Sequence, residues 1–211
     1  MKIISLFGGS GQTGFEFLKQ ALANNYKVKA LIRSPEKFSF THQNLEIHKG
    51  DVLNLENVSN NIKDSDIVVS LFGHVKDSPE WLQTNGTRNI VDGMKTVGIK
   101  KIISLSGGGL PFPEKDKPQF IDKLIRTIMK IVVPKILNDA IEHHRVLENT
   151  DLNWIIVRGP RLINSPKINN YKIGWVGVNS GTSIGRSDLA DFILKQVEKD
   201  EFIRQMPFVS S

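Results

Sequence analysis

The chain has 211 residues, 28 of them Lys or Arg and 22 Asp or Glu, for a formal net charge of +6. It contains no cysteine, which excludes disulfides, thiolate metal sites and cysteine nucleophiles. No apolar run approaches the roughly 20 residues of a membrane span, and the first run, Ile3–Phe7, is too short for a signal peptide. The expectation is a soluble, cytoplasmic, single-domain protein without a membrane partner. The lysines are dispersed, so the positive balance reads as a solvated surface that attracts an anionic cofactor, with no nucleic-acid footprint.

Short apolar runs recur along the chain: Ile3–Phe7, Val28–Ile32, Leu45–His48, Ile67–Phe72, Ile102–Leu105 and Trp154–Val157. Several are nearly continuous in Val, Ile and Leu, as strands covered on both faces should be. Helical patterns lie between them. The first spans Gln12 to Asn24, with Phe15, Leu18, Ala21 and Leu22 at helical spacing. A second is expected to start with Ser78 as N-cap and Pro79 at the first helical position. A third covers Pro118 to Asn149, split or kinked at Pro134. A fourth runs from Asp188 to Lys199, capped by Ser187. Residues 169–185 read as one or two short antiparallel strands and a loop. Alternating strand and helix predicts a doubly wound parallel α/β sheet. Its ligands bind just beyond the carboxyl ends of the strands.

The stretch GGSGQTG follows the first run and opens the first helix, placing Gly8, Gly9, Gly11 and Gly14 within seven residues. In this strand–turn–helix context the pattern is a dinucleotide-binding fingerprint. The first glycines allow the tight turn, Gly11 lets backbone approach a pyrophosphate, and Gly14 lets the helix pack on the strand. Ser10, Gln12 and Thr13 lie in the same loop and helix N-terminus, where free N–H groups meet phosphate oxygens. A glycine-rich turn without a ligand is the alternative. The fold is therefore expected to be Rossmann-type, one domain over residues 1–211, with a small substrate lobe at about 160–186. The second run ends in Arg33 and Ser34, where an NAD-binding protein places a carboxylate. An arginine fork suits a 2′-phosphate, so NADP(H) is the expected cofactor.

The ordered set GGSGQTG, LIRSPEK, GDVLN, NGTRNIVDGMK and VRGP resembles the atypical short-chain dehydrogenase/reductases of the NmrA-like type. Within them it is most similar to the biliverdin-IXβ reductase, or flavin reductase, group. The resemblance implies an adenine contact at Asp51 and Val52 and a ribose contact at Leu71, Phe72 and Gly73. It implies a nicotinamide face at Ser104, Leu105 and Ser106, and a closing loop at Arg158, Gly159 and Pro160. From the residues alone, Asp51 reads equally as a cap of the following helix, and Leu71 and Phe72 as core. The two tyrosines, Tyr26 and Tyr171, are not followed four residues later by lysine, so the alcohol–ketone chemistry of ordinary short-chain dehydrogenases is not expected. Ser106 matches the serine of the bilin reductases, whereas Arg161 stands where they carry a histidine.

His143 and His144 are adjacent on the third helical segment, so they face different directions. His144 and Arg145 are candidates for the site, His144 with Ser106 as catalytic residues, and a surface histidine pair is the alternative. His42, His48 and His74 are scattered and no metal site is expected. The glycine- and proline-rich stretch from 105 to 120 reads as a mobile loop over the site. The apolar residues Ile121, Leu124, Ile125, Ile128, Met129 and Val132 read as a lid or packing face rather than a membrane-surface helix. Phe112 and Phe120 are candidates either to stack on a planar substrate or to join the core. These readings predict an NADPH-dependent reductase of a small planar acceptor, a flavin or quinone, acting as monomer or homodimer. The second reading is a non-catalytic NADP(H) sensor with a regulatory protein partner.

Overall fold

The computed structural model describes residues 1–211. In chain order the elements are β1 (Ile3–Phe7), α1 (Gln12–Ala23), β2 (Lys27–Ile32), β3 (Leu45–Lys49), α2 (Leu55–Ile62), β4 (Ile67–Ser70), α3 (Leu82–Val97) and β5 (Lys101–Gly107). There follow α4 (Phe120–Val132), α5 (Pro134–Glu148), β6 (Asn153–Gly159), β7 (Arg161–Ile163), β8 (Lys172–Gly174), β9 (Ser183–Gly185), α6 (Arg186–Glu198) and β10 (Phe208–Ser210). The main sheet has the order β3-β2-β1-β4-β5-β6-β10-β8, parallel except for β8. The chain reverses direction across the sheet between β1 and β4, and this switch point opens a crevice at the carboxyl ends.

Both faces of the sheet are covered. On one, Phe17, Leu18 and Ala21 of α1 and Leu189, Phe192 and Ile193 of α6 pack on Ile4, Leu6, Val69, Ile103 and Ile155. On the other, Val58 and Ile62 of α2, Ile90 and Met94 of α3 and Leu147 of α5 pack on Phe7, Leu31, Val68, Ile102 and Ile156. Each such side chain, fully buried, contributes roughly 1.5–3 kcal/mol, so this double layer holds the strand ends in fixed positions.

Four local expectations are corrected. Helix α3 begins at Leu82, not Pro79: the chain turns through left-handed residues at Asp77 (φ 63°) and Trp81 (φ 60°), and the Ser78 hydroxyl accepts the Val75 N–H. Helix α6 starts at Arg186 after Gly185, and Ser187, inside it, accepts from the Gln20 amide. Asn54 rather than Asp51 caps α2, its side chain accepting the Asn57 N–H, while Asp51 accepts the Leu53 N–H. Of the two short strands in 169–185, β8 is antiparallel to β10, but β9 pairs parallel with β7 in a separate two-stranded sheet. Pro134 divides α4 from α5 as expected, since it cannot donate to the preceding turn.

Candidate nucleotide and acceptor site

A groove crosses the carboxyl ends of the strands. Its first hollow, about 330 Å³, is lined by Gly8, Ser10, Gly11, Leu31, Arg33, Gly50, Asp51, Val52, Leu71, Phe72, Gly73, Val75 and Leu82, with Phe7 below. The shared walls at Gly11, Leu71, Phe72, Gly73 and Val75 lead into a middle trough of about 420 Å³. Gln12, Thr13, His74, Gln83, Leu105, Ser106 and Gly107 line that trough, with Gly159, Pro160, Leu162 and Arg186. Gly107, Gly159 and Pro160 pass on to a third hollow of about 430 Å³ beneath α4.

The glycine loop is built for close approach. Gly8 has φ +86°, a conformation L side chains rarely adopt, and a Cβ there would meet the Phe72 backbone. A Cβ on Gly14 would overlap the Gly8 carbonyl oxygen, which fixes the packing of α1 on the turn. Helix α1 has no side-chain cap and no acidic residue in its first turn, so its N-terminal N–H groups are free for an anion. Arg33 is exposed in the hollow's wall and makes no ion pair or side-chain hydrogen bond. These residues fit the phosphates of a dinucleotide. Gly9 packs behind the loop on Leu6, and Ser34 starts a short turn over Pro35–Lys37 without lining the hollow.

The expected nicotinamide face divides. Leu105 and Ser106 line the trough, and the buried Ser106 hydroxyl has no partner in the protein. Ser104 is a correction. It shares a face of β5 with Ser106 but lies two residues back from the strand end, 1% exposed, and bonds the His143 Nε2 at 3.0 Å. His143 Nδ1 bonds the Thr87 hydroxyl at 2.8 Å, and burial lowers its pKa to about 4. His143 is therefore a neutral core residue. His144 is a second correction. It lies edge-on to Trp154, ring centroids 5.4 Å apart, outside the groove.

Arg158 is a third correction. It is fully buried and grips Asp116 with both guanidinium ends, at 2.8 Å each. It also donates to the carbonyls of Met206 and Leu110. Asp116 in turn accepts the N–H groups of Phe112 and Val176. The stretch after β5 is thus pinned to β6 through a buried, bidentate ion pair, and the expectation of a freely mobile loop fails at Asp116. Gly159 and Pro160, the next two residues, do line the groove. Phe112 is buried against Trp175, and Phe120 is 80% exposed, so neither lines the groove.

The third hollow has an apolar wall of Ile121, Ile125, Met129, Val176 and Phe208. Lys123, Arg126 and Arg161 stand on it, and none forms an ion pair or side-chain hydrogen bond. The Asp122 carboxylate there accepts the Gln119 N–H in a reciprocal cap of α4. Helix α4 buries no residue, and its Leu124, Ile128 and Ile131 face outward.

Both tyrosines are held in their protonated form. Burial, with an acceptor at Asp191, raises Tyr171 to about 12 despite Lys195 3.1 Å away. Burial and Glu198 raise Tyr26 likewise to about 12. Neither lines the groove.

Sequence reasoning missed the polar pair His74–Asp139. His74 follows Gly73 at the carboxyl end of β4, a position the strand-end rule covers. Asp139, 65 residues away on α5, carries no sequence signal. It is fully buried and accepts the backbone N–H groups of Gln83 and Thr84, the Thr84 hydroxyl and His74 Nε2 at 2.6 Å. Burial pushes its pKa up, but these donors outweigh burial and the net shift is downward.

Residues 8–200 match the NAD(P)H-binding family model, and the chain belongs to that family. It is 26% identical to the uncharacterised protein YwnB of Bacillus subtilis over 94% of this chain and 93% of that one. It is 28% identical over 127 residues to the decarboxylating sterol-4-alpha-carboxylate 3-dehydrogenase of Saccharomyces cerevisiae, a match spanning 54% of this chain and only 36% of the yeast protein. The fold is shared with a short-chain dehydrogenase/reductase of Veillonella parvula in complex with NADP, at a TM-score of 0.81 and 16% identity, covering 100% of this chain and 94% of that one. It is shared with ChuY, an anaerobilin reductase of Escherichia coli O157:H7, at a TM-score of 0.77 and 17% identity, covering 100% and 97%. No helix of the chain is long and apolar enough to cross a membrane.

Proposed function

We propose that the chain is an NADPH-dependent reductase of a flat, conjugated acceptor of the flavin or quinone class. The observation that carries the reading is the third hollow. A protein that only holds a nucleotide needs the first hollow and the trough; an apolar slot opening from their far end has room for a second, planar molecule. The free cations on its wall favour an acceptor bearing phosphate or carboxylate arms.

In this reading α1 and the glycine loop hold the pyrophosphate, and Arg33 holds the 2′-phosphate. The Veillonella relative in complex with NADP supports that choice of cofactor. The bound nucleotide supplies a hydride. Leu105, Gly159 and Pro160 wall the trough against water, and the unpartnered Ser106 hydroxyl hydrogen-bonds the nicotinamide amide or the acceptor. The residues 160–186 form the acceptor's lobe. The inert tyrosines favour one alternative, a redox sensor that binds NADP(H) without turnover. NADPH oxidation with FMN, riboflavin and menadione separates the two. Turnover abolished by Arg33→Asp supports the reductase. Tight NADPH and NADP+ binding with no turnover supports the sensor.

A further inference from the structure

A hydride transferred to a conjugated acceptor leaves negative charge on its heteroatom, and that charge needs a proton. Neither tyrosine can provide it, and Ser106 has no base beside it: its hydroxyl is unpartnered. His143 is buried behind β5 and held between two hydroxyls. One titratable side chain other than arginine lines the trough, and it is His74.

The setting of His74 is specific. Its side chain is 11% exposed and its Nε2 is bonded to the fully buried Asp139 carboxylate at 2.6 Å. Asp139 accepts only, so Nε2 carries the hydrogen and the ring orientation is fixed. Nδ1 has no partner in the protein and is not among the buried unpartnered atoms, so it reaches solvent, and His74 lines the trough. Asp139 is itself immobilised by the N–H groups at the start of α3. A carboxylate that orients an imidazole while stabilising its protonated form is the arrangement general acid catalysis requires.

We infer that His74 is the proton donor of the reduction and Asp139 its positioning residue, an inference that rests on the reductase reading. The step balances. The C4–H bond of NADPH breaks with its electron pair, hydride adds to the acceptor, and the nucleotide leaves as NADP+. The His74 Nδ1–H bond breaks, its proton joins the acceptor heteroatom, and solvent reprotonates the neutral imidazole. Asp139 stays ionised throughout. Asp139 is bonded to His74, and Arg186 lines the same trough.

The test compares wild type with His74→Gln, whose amide can still reach Asp139, using FMN and menadione as acceptors. The expected result is a kcat lower by about 10²-fold, an unchanged melting temperature, and NADPH affinity by tryptophan fluorescence within about threefold. Wild-type kcat should fall as pH rises, and the variant should lose that dependence. Nitrogen-15 spectra of the ligand-free wild type, which need no turnover, should show the hydrogen of the neutral His74 ring on Nε2. Wild-type turnover kept within twofold by His74→Gln overturns this inference and leaves the reductase reading intact. So does a variant that loses NADPH affinity tenfold at unchanged kcat, which would make His74 a cofactor contact. A neutral His74 ring that carries its hydrogen on Nδ1 overturns it as well. Absence of turnover in wild type with every acceptor overturns the reductase reading, and this inference with it.

Discussion

Replacing Arg158 with Met tests the largest disagreement between motif and structure. The motif puts residue 158 against the cofactor; the structure buries it in a bidentate pair with Asp116 and two carbonyl contacts. Methionine keeps much of the apolar stem but leaves the Asp116 carboxylate, 3% exposed, with only the N–H groups of Phe112 and Val176. Breaking a buried pair by removing one partner costs roughly 3–5 kcal/mol. At roughly 2–4 °C per kcal/mol for a chain of this size, the melting temperature should fall by about 6–20 °C. The first hollow and α1 do not touch residue 158, so NADPH affinity at 15 °C should stay within about threefold. Thermal melts followed by circular dichroism and NADPH titrations of Trp fluorescence read the two quantities. A variant that keeps its melting temperature but loses NADPH affinity tenfold would refute the structural role and restore the motif's assignment. Asp116→Asn should destabilise through the same pair, and combining it with Arg158→Met should cost less than the sum of the two.

Arg33→Asp should weaken NADPH binding by about 10²-fold, the loss of a charge-assisted fork worth about 3 kcal/mol, and NADH binding by threefold at most; isothermal titration of both nucleotides decides it. Burial holds His143 near pH 4 against an ordinary value of 6.5, so the unfolded chain binds the extra proton. Stability from this residue is therefore complete above about pH 6.5 and lost as pH falls toward 4, by roughly 3 kcal/mol in all; urea melts of wild type and His143→Asn should differ in slope across that window. The lowered carboxyl of Asp139 adds its own loss only below the range of ordinary carboxylates. Arg126→Glu with Arg161→Glu should raise KM for FMN by about tenfold, about 0.7 kcal/mol for each arginine, and leave riboflavin nearly unchanged; equal effects on both would remove the anionic-arm argument.

The elements legible in the sequence are those whose signal is local. Ile3–Phe7 is apolar but for the buried Ser5 because both faces of β1 are covered, and its bounds are read without error. The glycine loop is legible because backbone geometry at Gly8 and Gly14 admits no other residue. Arg33 is legible because strand ends point at the crevice. What fails is what depends on distant partners. Nothing near residue 158 announces Asp116, 42 positions earlier, and an arginine at the end of a strand looks the same whether it faces a phosphate or a carboxylate. The choice between His143 and His144 fails for a similar reason. Adjacent helical positions point about 100° apart, and which one meets β5 depends on how α5 rolls on the sheet. The short strands β7, β9 and β10 have three residues each and no pattern long enough to carry a period.

The position of Asp139 links architecture to chemistry. Helix α3 enters the crevice through a left-handed Trp81 that offers no side-chain cap. Its first N–H groups must be satisfied by something, and a carboxylate arriving from α5 does so across the interface of the two helices. Once that carboxylate is committed to the cap, its remaining acceptor capacity lies beside the trough, and His74 occupies it. A helix end that needed a remote cap thereby places an oriented imidazole beside the expected nicotinamide face. The same logic separates stability from catalysis. Asp139→Asn retains one carbonyl-type acceptor for α3 but loses the carboxylate that fixes the His74 ring. It should therefore cost turnover more than it costs fold. A variant that melts far lower yet, while folded, turns over at the wild-type rate with an unaltered pH profile would show that the carboxylate serves the helix alone.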